Sequence, residues 1–123
     1  MIRKKILLVD DANTILMMEK MILGKSGFDL IVAKNGQEAV TKSVSEKPDL
    51  ILMDVNMPKM NGFEACQKIR ANESTKSIPI IMVTTRGEME NRKIGFENGC
   101  TDYVTKPING PELMSKIKSF LAE

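Results

Sequence analysis

The chain has no histidine. That absence removes Ser-His-Asp and Cys-His nucleophilic arrangements and every His-ligated metal centre together. There is no tryptophan either, and aromatic residues make up only 4% of the chain, too few for a platform on which single-stranded nucleic acid would stack. The two cysteines, Cys66 and Cys100, form no CxxC pair and read as small buried residues of a reducing compartment, not as a disulfide framework. Apolar runs are short, as in Ile6-Leu7-Leu8-Val9, against the roughly 18 residues a membrane span requires. No signal-peptide pattern is present, so a cytoplasmic location without membrane insertion is expected. Charge of one sign is also missing. The net charge is +2 and the basic residues are spread along the chain, which gives no footprint for direct nucleic-acid binding. Repeats, low-complexity segments and linkers are absent as well.

What remains is a chain of 123 residues, 42% hydrophobic and 28% charged. That composition supports one packed core and argues against disorder. A single domain over residues 1–123 is therefore expected. Five short apolar runs occur at residues 6–9, 30–33, 50–53, 80–83 and 103–104. The first four are nearly continuous, as in strands buried on both faces of a parallel sheet. Helical patterns fill the intervals at 14–23, 37–46, 63–70, 89–98 and 111–121. Five rounds of strand and helix predict an open α/β sheet with helices on both sides. Asn109 is a candidate N-cap with Pro111 in the first turn behind it. The 89–98 pattern is the poorest, with Gly95 inside it and a thin apolar face. Met17, Met18 and Met21 fall at helical spacing and are expected to fill the core.

In open α/β sheets ligands bind outside the carboxyl ends of the strands, where the strand order reverses. The residues leaving the runs are Asp10-Asp11, Asp54, Thr84 and Lys106-Pro107. For the strand order 2-1-3-4-5 the first and third strands are neighbours about 4.8 Å apart. Asp10, Asp11 and Asp54 would then share one pocket. Three carboxylates facing one ammonium would partly protonate unless a cation joined them. A hard divalent ion such as Mg²⁺, which takes carboxylates, waters and a phosphate, is the natural partner. A carboxylate can itself accept a phosphoryl group, and Asp54 is the best placed because it stands alone between the acid pair and Thr84 with Lys106. Singly, each residue has a blander explanation. A strand-end Asp usually caps a turn, and a lysine before proline is usually solvated. Their coincidence at one end of four strands favours the site.

The chain resembles the receiver domain of bacterial response regulators, essentially over its whole length. The resemblance rests on Leu7-Leu8-Val9-Asp10-Asp11, on Asp54-Val55-Asn56-Met57-Pro58-Lys59-Met60-Asn61-Gly62, on Val83-Thr84, and on Asp102-Tyr103-Val104-Thr105-Lys106-Pro107. It implies a flavodoxin-like five-stranded parallel sheet with five helices. It implies that Asp54 is the phosphoacceptor, charged by the phosphohistidine of a sensor histidine kinase or a phosphotransfer protein. Asp11, Asp54 and the carbonyl of Asn56 would hold Mg²⁺, with Asp10 acting through water. Lys106 and the Thr84 hydroxyl would meet the phosphoryl oxygens, and the Lys106–Pro107 bond would be cis. Tyr103 would be the switch aromatic that follows Thr84.

The output would pass through the 89–98 helix, the fifth strand and the last helix to a downstream protein or a fused domain. Such a chain is a signalling switch that catalyses only its own phosphorylation and dephosphorylation, not an enzyme acting on a separate metabolite. Thr85 is bulkier than the small residue usual at its position, and Asn56 and Arg86 occupy positions that vary among receivers. Cys100 stands where a small residue is usual. The competing reading is a flavodoxin-like cofactor-binding module. It would need a Gly- or Ser/Thr-rich phosphate loop where this chain has Asp10-Asp11.

Overall fold

The computed structural model describes residues 4–55, 57, 60–85 and 97–121, the side chain of Thr85 excepted. Five strands form one parallel sheet: β1 (Lys5–Val9), β2 (Asp29–Ala33), β3 (Leu50–Asp54), β4 (Ile80–Thr85) and β5 (Asp102–Lys106). Their spatial order is β2-β1-β3-β4-β5, as the strand-end argument required. Four helices are present among the described residues: α1 (Asn13–Gly24), α2 (Gly36–Glu46), α3 (Gly62–Ala71) and α4 (Gly110–Leu121). The fifth expected helix, at 89–98, falls almost wholly outside the described residues.

Strand alternation divides the apolar residues between two cores. Leu7, Val9, Ile51, Met53, Ile80 and Met82 pack with Ala39, Ala65, Cys66 and Ile69 of α2 and α3. Ile6, Leu8, Leu50, Leu52, Ile81 and Val83 pack on the other face with Leu16 and Leu23 of α1 and Leu113, Ile117 and Leu121 of α4. Every residue of β3 is buried, which explains why its sequence runs apolar without alternation. Cys66 and Cys100 are free and buried, and burial pushes their thiols up to about 11 and about 12.

Asparagines stand just before three of the helices. The Asn35 side chain accepts from the Glu38 amide at 2.8 Å, and Asn109 accepts from the Glu112 amide at 2.9 Å. Asn61 and Glu64 form a reciprocal capping box at the start of α3. At the amino ends of β4 and β5, Arg70 donates to the carbonyls of Gly99 (2.8 Å), Ile78 (2.6 Å) and Lys76 (3.1 Å) and to the Thr101 hydroxyl (3.2 Å). This guanidinium ties α3 to two strand entries.

One expectation is corrected. Met17, Met18 and Met21 do not fill the core; they are 63%, 41% and 71% exposed. On α1 the buried positions are Leu16, Glu19 and Leu23, spaced to lie on one face. At about 100° per residue, Met17 and Met21 fall on another arc of the helix.

Candidate functional site

The carboxyl ends of β1, β3, β4 and β5 bring the polar residues together. Asp10 follows β1, and its amide donates to the Ala33 carbonyl of β2 at 3.1 Å, so the chain remains tied to the sheet as it leaves. Asp10 Oδ1 accepts from the Ala12 amide at 2.9 Å, which closes the turn into α1. Asp54 is the last residue of β3 and pairs in register with Val83. Thr84 pairs with Thr105, and Thr85 with Lys106. The Lys106–Pro107 peptide is cis, as expected.

A glycine seats the start of α3 against the end of β3. Gly62 donates to the Val55 carbonyl at 2.9 Å. A Cβ at Gly62 would stand 2.3 Å from the Asp54 carbonyl oxygen, so the start of α3 can press against the end of β3 only without a side chain.

Oxygens of Asp10, Asp11 and Asp54 all lie within 4.8 Å of one another. Asp10 and Asp54 are buried and Asp11 is exposed, so the cluster opens to solvent on the Asp11 side. Lys106 Nζ is 3.0 Å from Asp54 Oδ1 and 3.8 Å from Asp10 Oδ2. Burial pushes the Asp54 carboxyl up to about 6; Lys106 pulls against it, and Asp10 and Asp11 push the same way as burial. Asp10 is raised by burial too, partly offset by the Ala12 amide and Lys106. Burial alone would lower Lys106. The hydrogen bond to Asp54 and the charges of Asp54, Asp10 and Glu19 outweigh it and raise the ammonium above its ordinary value. Thr84 is buried at the same strand ends. Tyr103 is half-buried and packs against the α2–α3 core. Asn56 and Arg86 lie outside the described residues.

An all-oxygen donor set suits a hard cation such as Mg²⁺. Asp10 Oδ2 is buried and accepts no hydrogen bond among the described residues, so it retains an unused lone pair at the cluster. The donors therefore fit such an ion.

Sequence reasoning missed Glu19. Its side chain is buried and its Oε1 has no hydrogen-bond partner among the described residues. Burial, with the charges of Asp10 and Asp54, pushes its carboxyl up to about 8, against the pull of Lys106. The signal was present in the helical spacing that places Glu19 with Leu16 and Leu23.

An open parallel sheet gathers three carboxylates and a lysine at its carboxyl edge, and defines an acidic pocket of a kind that accepts a hard cation. Residues 6–118 match the model of the response regulator receiver domain, and the chain belongs to that family. It is 41% identical over 118 residues to the alkaline phosphatase synthesis transcriptional regulatory protein PhoP of Bacillus subtilis, covering 96% of this chain and 48% of that protein. It is 37% identical to the protein PilH of Pseudomonas aeruginosa, covering 96% of this chain and 98% of that one. A crystal structure of the receiver domain of a Pseudomonas aeruginosa sensor histidine kinase superposes with a TM-score of 0.91 at 28% identity, covering 99% of this chain and all of that one (100%). That structure holds a magnesium ion in its active site cleft. The chain spans about half the length of most of the curated relatives it matches, 48% of PhoP for example. Among the described residues no helix is long and apolar enough to cross a membrane.

Proposed function

We propose that this chain is a phosphorylation-dependent switch in two-component signalling, with Asp54 as the phosphoacceptor. The donor is the phosphohistidine of a sensor histidine kinase or phosphotransfer protein. An Asp54 carboxylate oxygen forms the new bond to phosphorus as the phosphorus–nitrogen bond breaks, and the imidazole leaves with that electron pair. Asp11 and Asp54, the carbonyl of Asn56, and Asp10 through water would hold Mg²⁺. When bound, the ion supplies charge neutralisation for the incoming phosphoryl group. Lys106 orients Asp54 before transfer and carries positive charge to the phosphoryl oxygens afterwards. The Thr84 hydroxyl donates to one of those oxygens. Phosphoryl transfer asks chiefly for such positioning and electrostatics.

The phosphorylated arrangement is selected from a pre-existing equilibrium because its bonds to Thr84 and Lys106 form in one state only. Tyr103 follows Thr84, and output runs through residues 89–98, β5 and α4 to a partner protein or a fused domain. The observation that carries this reading is the convergence of three carboxylates with Lys106 Nζ 3.0 Å from Asp54. The test is Mg²⁺-dependent labelling by a small acyl phosphate. Labelling is expected in the native chain and lost in Asp54→Asn; label that persists in the variant overturns the acceptor assignment.

A further inference from the structure

Asp102, Tyr103 and Lys116 form a closed circuit at the β5 edge. Asp102 Oδ1 accepts from the Tyr103 backbone amide at 2.8 Å. Asp102 Oδ2 meets Lys116 Nζ at 3.0 Å. The same ammonium lies 5.9 Å from the centroid of the Tyr103 ring. Lys116 is anchored at its base, since Leu113 and Ile117 on either side of it in α4 are fully buried. The carboxylate thus holds the strand backbone at Tyr103 with one oxygen, and with the other it steers a cation toward the ring of the same residue. Carboxylate and ammonium are each only partly exposed, at 24% and 28%, so water screens them less than a free surface pair.

We propose that Lys116 is a positioning residue for Tyr103: braced by Asp102, its ammonium holds the tyrosine ring in the unphosphorylated arrangement. The inference rests on Tyr103 being the switch aromatic of the reading above. It adds that the resting position of the ring is set from α4 as well as from the phosphorylation pocket. Ring movement then requires the cation–π contact to be given up, which biases the resting equilibrium by about two- to fivefold. Lys116 connects α4 directly to the residue that would report on Asp54.

The chain contains one tyrosine and no tryptophan, so its intrinsic emission reports Tyr103 alone. Quenching by acrylamide, which is uncharged, is measured on the full chain before and after treatment with an acyl phosphate and Mg²⁺. Lys116→Met keeps the apolar stem and removes the charge; Lys116→Arg keeps a cation. The expected result is a quenching constant for unphosphorylated Lys116→Met that departs from the native value in the direction phosphorylation moves it. Lys116→Arg is expected to match the native chain, and both variants to label at Asp54. A Lys116→Met constant equal to the native one, or moved the opposite way, overturns the proposal. So does a Lys116→Arg shift as large as that of Lys116→Met, which would assign the effect to stem packing. If the native chain takes no label, the phosphorylation reading fails, while the quenching of the untreated proteins still decides whether Lys116 restrains the ring.

Discussion

Lys106 on β5 reaches past β4 to place its ammonium 3.0 Å from Oδ1 of Asp54 on β3. The lysine occupies the same carboxylate that a divalent ion would use, so on the proposed reading the two cations would compete for it before phosphorylation. Lys106→Gln is expected to bind Mg²⁺ about two- to tenfold more tightly, because a positive charge leaves a cluster of three acids. The same variant is expected to lose at least about tenfold in acyl-phosphate labelling, since the charge facing the phosphoryl oxygens is gone. Mg²⁺ titration and labelling rates on one preparation check both directions.

On the proposed reading, proton and metal compete at Asp54 as well. Its carboxyl is held up to about 6, so below that pH an ion must first displace a proton. Mg²⁺ is expected to raise the melting temperature clearly at pH 8 and much less at pH 5. Thermal unfolding with and without Mg²⁺ at the two pH values reads the difference, and an equal rise at both would show that Asp54 is not among the ligands.

Glu19 gives the folded state an unfavourable pH slope. Its carboxyl titrates near 8 when folded, against an ordinary value of 4.5. Between those values the folded chain retains a proton that the unfolded chain has released, so Glu19 costs no stability below its ordinary value and progressively more as pH rises toward 8. The cost is about 1.4 kcal/mol for each pH unit crossed. Glu19→Gln keeps the shape and removes the titration. The variant is expected to match the native chain near pH 5 and to exceed it by a few kcal/mol at pH 8.5 in urea unfolding.

Gly62 links backbone packing to chemistry. Adding one methyl group there places carbon 2.3 Å from the Asp54 carbonyl oxygen, so either α3 or the end of β3 must move. Gly62→Ala is expected to destabilise the fold by about 1–3 kcal/mol. Labelling at Asp54 is expected to fall even at temperatures where the variant is fully folded by circular dichroism.

Much of this was legible from the sequence. The continuous apolar runs identify the strands, although only the inner ones are buried on both faces: β3 is buried throughout, while β2, at the sheet edge, is buried fully at Ala33 alone. The polar residues leaving the runs fall at one sheet edge once the order 2-1-3-4-5 is adopted. Asn109 is legible as a cap because Pro111 follows it. The role of α1 was not. Its three methionines mark an apolar arc, yet hydrophobicity alone does not say which arc faces the sheet, and the buried arc includes an acid. Nor could the short β5 signal at Tyr103-Val104 show that Asp102 and Lys116 close on each other, since that contact depends on the packing of α4 against the sheet edge. Thr84, Lys106 and Asp54 stood out only together, because each is ordinary at a strand end and their falling at one end of the sheet is not. Glu19 and Lys116 were missed because charged residues on helices are ordinary.

The Arg70 clamp leaves the two ends of the sheet unequal. Where the strands enter, four acceptors share one guanidinium. Where they leave, Asp10 and Glu19 each keep an oxygen without a hydrogen bond among the described residues. Robustness and responsiveness therefore draw on the same few atoms at one edge of the molecule. Selection for heat resistance alone would favour neutral residues at those acids. On the proposed reading, the change at Asp10 would be made at the expense of the cation site.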